Sequence, residues 1–170
     1  KDLEHASHES LVDNYKIDDF HTPFVFYEPG FNLRSTDLNA FLGLRQLDKI
    51  DWIISRRCEN HVIYKEYLED NFYIQQCVPD SQVCSISFGM ITKDTEQRRS
   101  IVKALVDNGI ETRIFSAGNL GLHPFWFNRY GKKSFPVADK IHYCGLFLPN
   151  NPSLTAENIE FISQVVLKAM

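Results

Sequence analysis

The sequence predicts an α+β fold: one long helix followed by a small, mostly antiparallel sheet packed with helices. Three observations carry that expectation. Between Asp37 and Glu69 apolar residues recur every three to five positions with no proline. Beyond Phe72, short runs rich in β-branched and aromatic residues alternate with helical patterns. The runs are separated by turn chemistry at Pro79-Asp80-Ser81 and Asn108-Gly109.

The long helix begins after Pro29-Gly30, which break the preceding chain because proline fixes φ and glycine permits left-handed turns. Ser35, Thr36 and Asp37 supply capping oxygens and place negative charge at the positive end of the helix. Leu38, Phe41, Leu42, Leu47, Ile50, Ile54, Cys58 and Val62 form the apolar stripe. Arg45, Gln46, Lys49, Asp51, Arg56 and Glu59 form the solvated face. A single helix of ~30 residues would span ~45 Å. Phe72–Val78 and Val83–Ile91 then read as strands, the second with alternating buried and partly exposed positions.

Asp94 caps the next helix with Gln97 three residues on, and Ile101, Val102, Leu105 and Val106 form its inner face. Asn108-Gly109 ends it with a left-handed cap, and Ile110–Phe115 reads as the third strand. Ser116–Gly131 reads as a long loop, a length that often carries function. Phe135-Pro136 opens a short helix through Tyr143, and Gly145–Pro149 is a short buried strand. The last helix starts near Thr155 and buries Ile159, Ile162, Val166 and Ala169.

Composition narrows the function classes. The 170 residues are 44% hydrophobic and 24% charged, ordinary for a soluble globular chain long enough to bury a core. A formal net charge of -4 disfavours nucleic acid or an anionic membrane as bulk partner, yet leaves room for a small anion held by a local arginine. No apolar run is long enough to span a bilayer and no secretory signal pattern is seen, so a cytoplasmic protein is expected. Cys58, Cys77, Cys84 and Cys144 include no C-x-x-C pair, which reads as reduced thiols rather than a zinc site or disulfide framework. His5 and His8 could share a helix face, but that spacing is common on surfaces, and no metal is expected.

The residues ahead of and within the long helix carry a resemblance. F-N-L-R-S-T-D-L-N-A-F-L-G-L-R-Q-L-D-K-I-D resembles the signature of the pyridoxal-phosphate-dependent sugar aminotransferases, the DegT/DnrJ/EryC1/StrS family of fold type I. Asn32, Arg34, Thr36, Asp37, Ala40, Gly43, Gln46, Leu47, Lys49 and Asp51 match it position for position, while Leu33, Ser35 and Asn39 depart conservatively. The resemblance implies that residues 1–31 link from a large cofactor-binding domain absent here. Residues 32–170 would then be the C-terminal small domain, including the connecting helix. It further implies a homodimer in which Asn32 and Arg34 reach the neighbour's cofactor, Arg34 also meeting the substrate. G-I-E-T-R followed by Ser116–Gly131 is similar to the family's substrate-facing segment, which implicates Asn119 and His123 in substrate binding. Its A-G-N-L-x-x-x-P form is closest to the branch of nucleotide-sugar 3-dehydrases and 3-aminotransferases, with His123 where that branch usually has Gln. Phe125, Trp126 and Phe127 would, in the plainer reading, simply cover the sheet.

Transamination needs a lysine to hold pyridoxal phosphate and move protons at the substrate carbon. In the family that lysine precedes a T-x-G-E-G-G-like stretch, and no lysine of this chain lies in such a context. The expectation is therefore an enzyme part, inactive alone: a nucleotide-sugar aminotransferase domain acting on a keto-sugar with an amino-acid donor. Two alternatives stay open, a related 4-keto-sugar 3-dehydrase using His in place of Lys, and a non-catalytic interaction domain built on the long helix.

Overall fold

The computed structural model describes residues 13–14 and 35–170. The chain divides into two compact units, Lys1–Gly43 and Leu44–Met170. The expected boundary at residues 31 and 32 lies outside the described residues.

The expected single helix is two. Helix α1 runs Asp37–Leu47 and α2 runs Ile50–Leu68. Thr36 caps α1 as expected, its Oγ1 accepting from the Asn39 N–H at 3.3 Å. At the junction Lys49 N–H donates to Gln46 O at 3.0 Å, a bond to the third residue back instead of the fourth, and Lys49 adopts φ -114°, ψ 1°. That one tight turn breaks the α-geometry. Apolar periodicity cannot reveal it, because the spacing suits helix on both sides.

After α2 come β1 (Tyr73–Ile74), β2 (Ser87–Ile91), α3 (Thr95–Asp107) and β3 (Arg113–Ile114). A 3₁₀ turn (Leu120–Leu122), α4 (Pro124–Tyr130), α5 (Pro136–Cys144), β4 (Gly145–Pro149) and α6 (Ala156–Lys168) complete the order. The strands form one sheet in the order β1-β2-β4-β3, every neighbouring pair antiparallel. The α+β expectation therefore holds. Three strands are shorter than the sequence pattern suggested: Gln75–Ile86 is irregular around the turn at Pro79-Asp80, and Ile86 stands exposed. Gly109 takes φ +70°, the left-handed cap expected there, and Ile110 N–H reaches back to Leu105 O at 2.9 Å.

The core lies between one sheet face and the helices α2, α3 and α6. Phe88 and Met90 of β2 and Leu146 and Leu148 of β4 point into it. They meet Tyr64 and Leu68 of α2, Ile101 and Leu105 of α3, and Ile159, Ile162 and Val166 of α6. Burying each such side chain is worth ~1.5–3 kcal/mol. The apolar assignments need correction: Leu38, Phe41, Leu42, Leu47, Ile50 and Val62 of the stripe, and Val106 of α3, are exposed in this chain. The buried face of α2 is instead Asn60, His61, Tyr64 and Leu68. Polar groups stand there in place of apolar ones, partnered in part by the end of β4 and the turn after it. Asn60 Nδ2 donates to Asn151 O at 3.3 Å, and the Tyr64 hydroxyl donates to Pro149 O at 2.9 Å while its ring stacks on Phe88.

Helix starts follow the expected chemistry. Asp94 Oδ1 accepts from Gln97 N–H at 2.8 Å, and Thr155 and Asn158 form a reciprocal capping box at α6. Pro136 occupies the first turn of α5, where no N–H is needed. All four cysteines are free thiols. Among the described residues no helix is long and apolar enough to cross a membrane, and no three His, Cys, Asp or Glu side chains converge on a metal site.

Candidate functional site

The segment from Ser116 to Gly131 departs furthest from the loop expected of it. It leaves the edge strand β3 through Phe115, whose ring stacks on Phe147 at 4.6 Å between centroids. Gly89 and Gly145 make this possible, since a Cβ at either would run into the Phe115 side chain. The chain then reverses through two left-handed residues, Ser116 at φ 52° and Gly118 at φ 63°, closed by Gly118 N–H to Phe115 O at 3.1 Å. A non-glycine residue held at positive φ is uncommon and persists where surrounding bonds enforce it. Residues 120–122 and 124–130 are not loop: a 3₁₀ turn and then α4 occupy them.

Asn119 is the hub of this segment. It is 3% exposed, and its side chain is fully engaged. Oδ1 accepts from Gly121 N–H at 2.8 Å, while Nδ2 donates to Lys133 O at 2.9 Å and to Asp139 Oδ1 at 2.5 Å. One amide thus ties the 3₁₀ turn to the connection after α4 and to the first turn of α5. Ser134 Oγ donates to the other Asp139 oxygen. These bonds, Ser134 first and then Asn119, hold the Asp139 carboxyl below the usual carboxylate range. The Asn119 N–H donates to His142 Nδ1 at 3.3 Å, so in this bond the His142 proton resides on Nε2. Gly118 packs so closely on the His142 ring that no side chain fits between them.

His123 is half-buried. Its Nε2 donates to Ala117 O at 2.8 Å, closing the turn over Asn119, and its ring lies 6.3 Å from that of His142. The structure therefore brings Asn119 and His123 together, along with Asp139 and His142. Sequence reasoning missed the latter pair because they lie on α5, some twenty residues away. Their one available signal was the i, i+3 spacing that puts both on one helix face.

Beyond the hub the surface is aromatic and cationic. Trp126 packs on Tyr130 at 4.8 Å, and the Arg129 guanidinium lies 5.5 Å over the Tyr130 ring. Phe125, Trp126 and Tyr130 remain substantially exposed. Residues 112–138 contain Arg113, Arg129, Lys132 and Lys133, bounded by the carboxylates of Glu111 and Asp139, within a chain whose net charge is -4. A locally positive stretch of this kind suits an anionic ligand. Arg113 makes a two-pronged contact to Glu111 at 3.1 and 2.8 Å and lines two shallow grooves of about 240 and 290 Å³ at the sheet edge. The Asn32 and Arg34 side chains lie outside the described residues, as do His5 and His8.

Residues 3–167 match the DegT/DnrJ/EryC1/StrS aminotransferase family. This chain belongs to that family. Curated relatives include a GDP-4-keto-6-deoxy-D-mannose 3-dehydratase of Yersinia pseudotuberculosis, 29% identical over 162 residues, covering 89% of this chain and 40% of the relative. A GDP-perosamine synthase of Escherichia coli O157:H7 is 30% identical over 138 residues, covering 81% and 37% respectively. Among solved structures, E. coli GDP-4-keto-6-deoxy-D-mannose-3-dehydratase with bound hydrated PLP superposes with a TM-score of 0.72 at 24% identity, covering 88% of this chain and 40% of that one. Helicobacter pylori PseC, an aminotransferase of pseudoaminic acid biosynthesis, gives 0.72 at 19% identity, covering 85% and 40%. These likenesses establish that the chain shares the fold of the matched part of those proteins. The chain spans about 40% of the length of the relatives it matches.

The described residues do not by themselves form a cradle for pyridoxal phosphate. Every described lysine is exposed, and several are occupied on the surface: Lys65 with Glu69, Lys103 with Asp107 and Lys140 with the Lys93 carbonyl. A lysine that carries the cofactor works from a desolvated pocket.

Proposed function

We propose that this chain is the C-terminal region of a pyridoxal-phosphate-dependent enzyme that transfers an amino group from an amino acid to a nucleotide-linked keto-sugar. It works as a cytoplasmic homodimer together with a lysine-bearing cofactor domain and is inactive alone, with residues 1–31 as the link and 32–170 as the small domain. The observation that carries this reading is the aromatic, cation-rich segment around Arg129, Lys132 and Lys133, which suits the diphosphate of a nucleotide sugar, in a chain matching the family from residue 3 to 167. Asn32 and Arg34 serve the cofactor, the guanidinium matching phosphate or substrate oxygens bidentately. His123 serves the substrate, and Asn119 serves it indirectly by holding the turn in place. The Asn119 side chain fixes the turn, and His123 Nδ1 is the ring nitrogen left to meet the sugar nucleotide.

A second reading is favoured by the A-G-N-L stretch and by the two 3-dehydratase relatives that act on a GDP-4-keto sugar. There the whole enzyme removes a sugar hydroxyl and leaves no nitrogen on the product. Full-length protein incubated with GDP-4-keto-6-deoxymannose and ¹⁵N-glutamate separates the two. Nitrogen in the recovered sugar supports aminotransfer, and loss of water without nitrogen supports dehydration. An untouched substrate across GDP- and dTDP-linked keto-sugars contradicts both.

A further inference from the structure

We propose that Cys58 and Cys84 form a redox-responsive pair that peroxide closes to a disulfide, stapling α2 to the Gln75–Ile86 connection. This is independent of the catalytic reading. Cys58 lies partly buried on α2, and Cys84 lies exposed just ahead of β2. The residues beside them are pinned together by one buried amide: Asn150 Nδ2 donates to Arg57 O at 3.2 Å, to Ser85 O at 2.8 Å and to Ser85 Oγ at 3.3 Å. One turn beyond Cys58, His61 Nδ1 meets the same Ser85 hydroxyl at 3.4 Å. With residues 57 and 85 drawn to a single nitrogen and His61 held at Ser85, the neighbouring Cys58 and Cys84 are brought close enough that, second to burial, Cys84 raises the Cys58 pKa.

The two sides of the pair differ in a way that suits closure. Cys58 sits on a regular helix. The 75–86 connection has no buried side chain, turns through Asp80 at φ 63°, and lines an open concavity of about 470 Å³. This connection is therefore the side free to adjust its backbone toward disulfide geometry. Cys77 shares the connection but lies across the Pro79-Asp80 turn, whereas Cys144 is buried on α5.

The chemistry runs in two steps. The exposed Cys84 thiolate attacks hydrogen peroxide: an S–O bond forms, the O–O bond breaks, and hydroxide leaves to become water. The Cys58 sulfur then attacks the Cys84 sulfenic acid: the S–S bond forms, the S–O bond breaks, and the Cys58 proton leaves with the hydroxide as a second water. Two thiols lose two electrons, and one peroxide becomes two waters. Burial, with the neighbouring Cys84 adding to it, raises the Cys58 thiol above the ordinary cysteine range, which leaves the exposed partner as the first to react.

The test treats full-length protein with hydrogen peroxide, blocks remaining thiols, and maps peptides without reduction. The expected product is a Cys58–Cys84 cross-linked peptide 2 Da below the sum of its parts, lost on adding dithiothreitol. Cys77→Ser should still form it, while Cys58→Ser and Cys84→Ser should not. Proteolysis between Val78 and Gln82 should slow several-fold in the oxidised protein. A bond from Cys77 to either thiol, a mainly intermolecular product, or Cys84 overoxidised while Cys58 is still blocked as a free thiol overturns the proposal. The wild-type map decides the matter even if a variant fails to fold.

Discussion

Replacing Asn119 tests whether one buried amide organises the candidate site. Asn119→Ala deprives the buried Gly121 N–H, the Lys133 carbonyl and Asp139 Oδ1 of their partner at once. An unsatisfied buried donor costs ~1–3 kcal/mol, and the two better solvated acceptors add less, which gives about 3 kcal/mol in all. If the loss is global, the melting temperature falls by roughly 6–12 °C. If the segment opens locally, amide exchange over residues 116–135 speeds by roughly 100-fold while the core strands keep their protection. Asn119→Asp should be worse than alanine at neutral pH, because it sets a second carboxylate against Asp139 and a lone pair against the Lys133 carbonyl. That excess penalty should ease in acid, where one proton bridges the two carboxyls. Melting and exchange both unchanged in Asn119→Ala, or an aspartate milder than alanine at pH 7, would refute the reasoning.

Three further outcomes follow from the geometry. His61 is buried, which together with Lys65 lowers its affinity for a proton below the usual 6.5, so the unfolded chain binds the proton first and stability should fall as pH drops through about 6.5. Denaturant titrations at pH 8 and pH 5.5 check this, and a His61→Gln chain that keeps the same pH dependence would contradict it. Gly89→Ala places a methyl within 2.5 Å of the Phe115 ring and should destabilise by ~1–3 kcal/mol, with Phe115→Leu recovering part of the loss in the double variant. In the full-length enzyme Asn32→Ala should loosen the cofactor, and Arg34→Ala should raise KM or loosen the cofactor; unchanged cofactor affinity and steady-state kinetics in both would remove these residues from the site.

Much of the fold was legible because it rests on local chemistry. The Asp94 and Thr155 caps, the Gly109 left-handed end, the Pro136 start and the apolar set Phe88, Ile101, Leu105, Ile159 and Val166 each carry their signal in a few neighbouring residues. What failed depended on distant partners. The buried face of α2 runs through Asn60 and His61, whose polarity is tolerated only because Asn151 and Ser85 reach them. The break at Asp48–Lys49 is a backbone choice between the third and fourth carbonyl back, and no side chain announces it. Within the candidate site Asn119 and His123 were named from the resemblance, whereas Asp139 and His142 became visible once α5 was folded against the turn. Their role as holders of Asn119 comes from tertiary geometry, which residue spacing does not encode.

The most direct test of the central claim is to locate the cofactor lysine. Full-length protein and a chain of residues 1–170 are each incubated with pyridoxal phosphate, reduced with borohydride and mapped by mass spectrometry. The account predicts one stoichiometric pyridoxyl-lysine in the full-length enzyme, placed outside residues 1–170, and only scattered substoichiometric labelling of the isolated chain. A single stoichiometric pyridoxyl group on a lysine within residues 1–170 would contradict it.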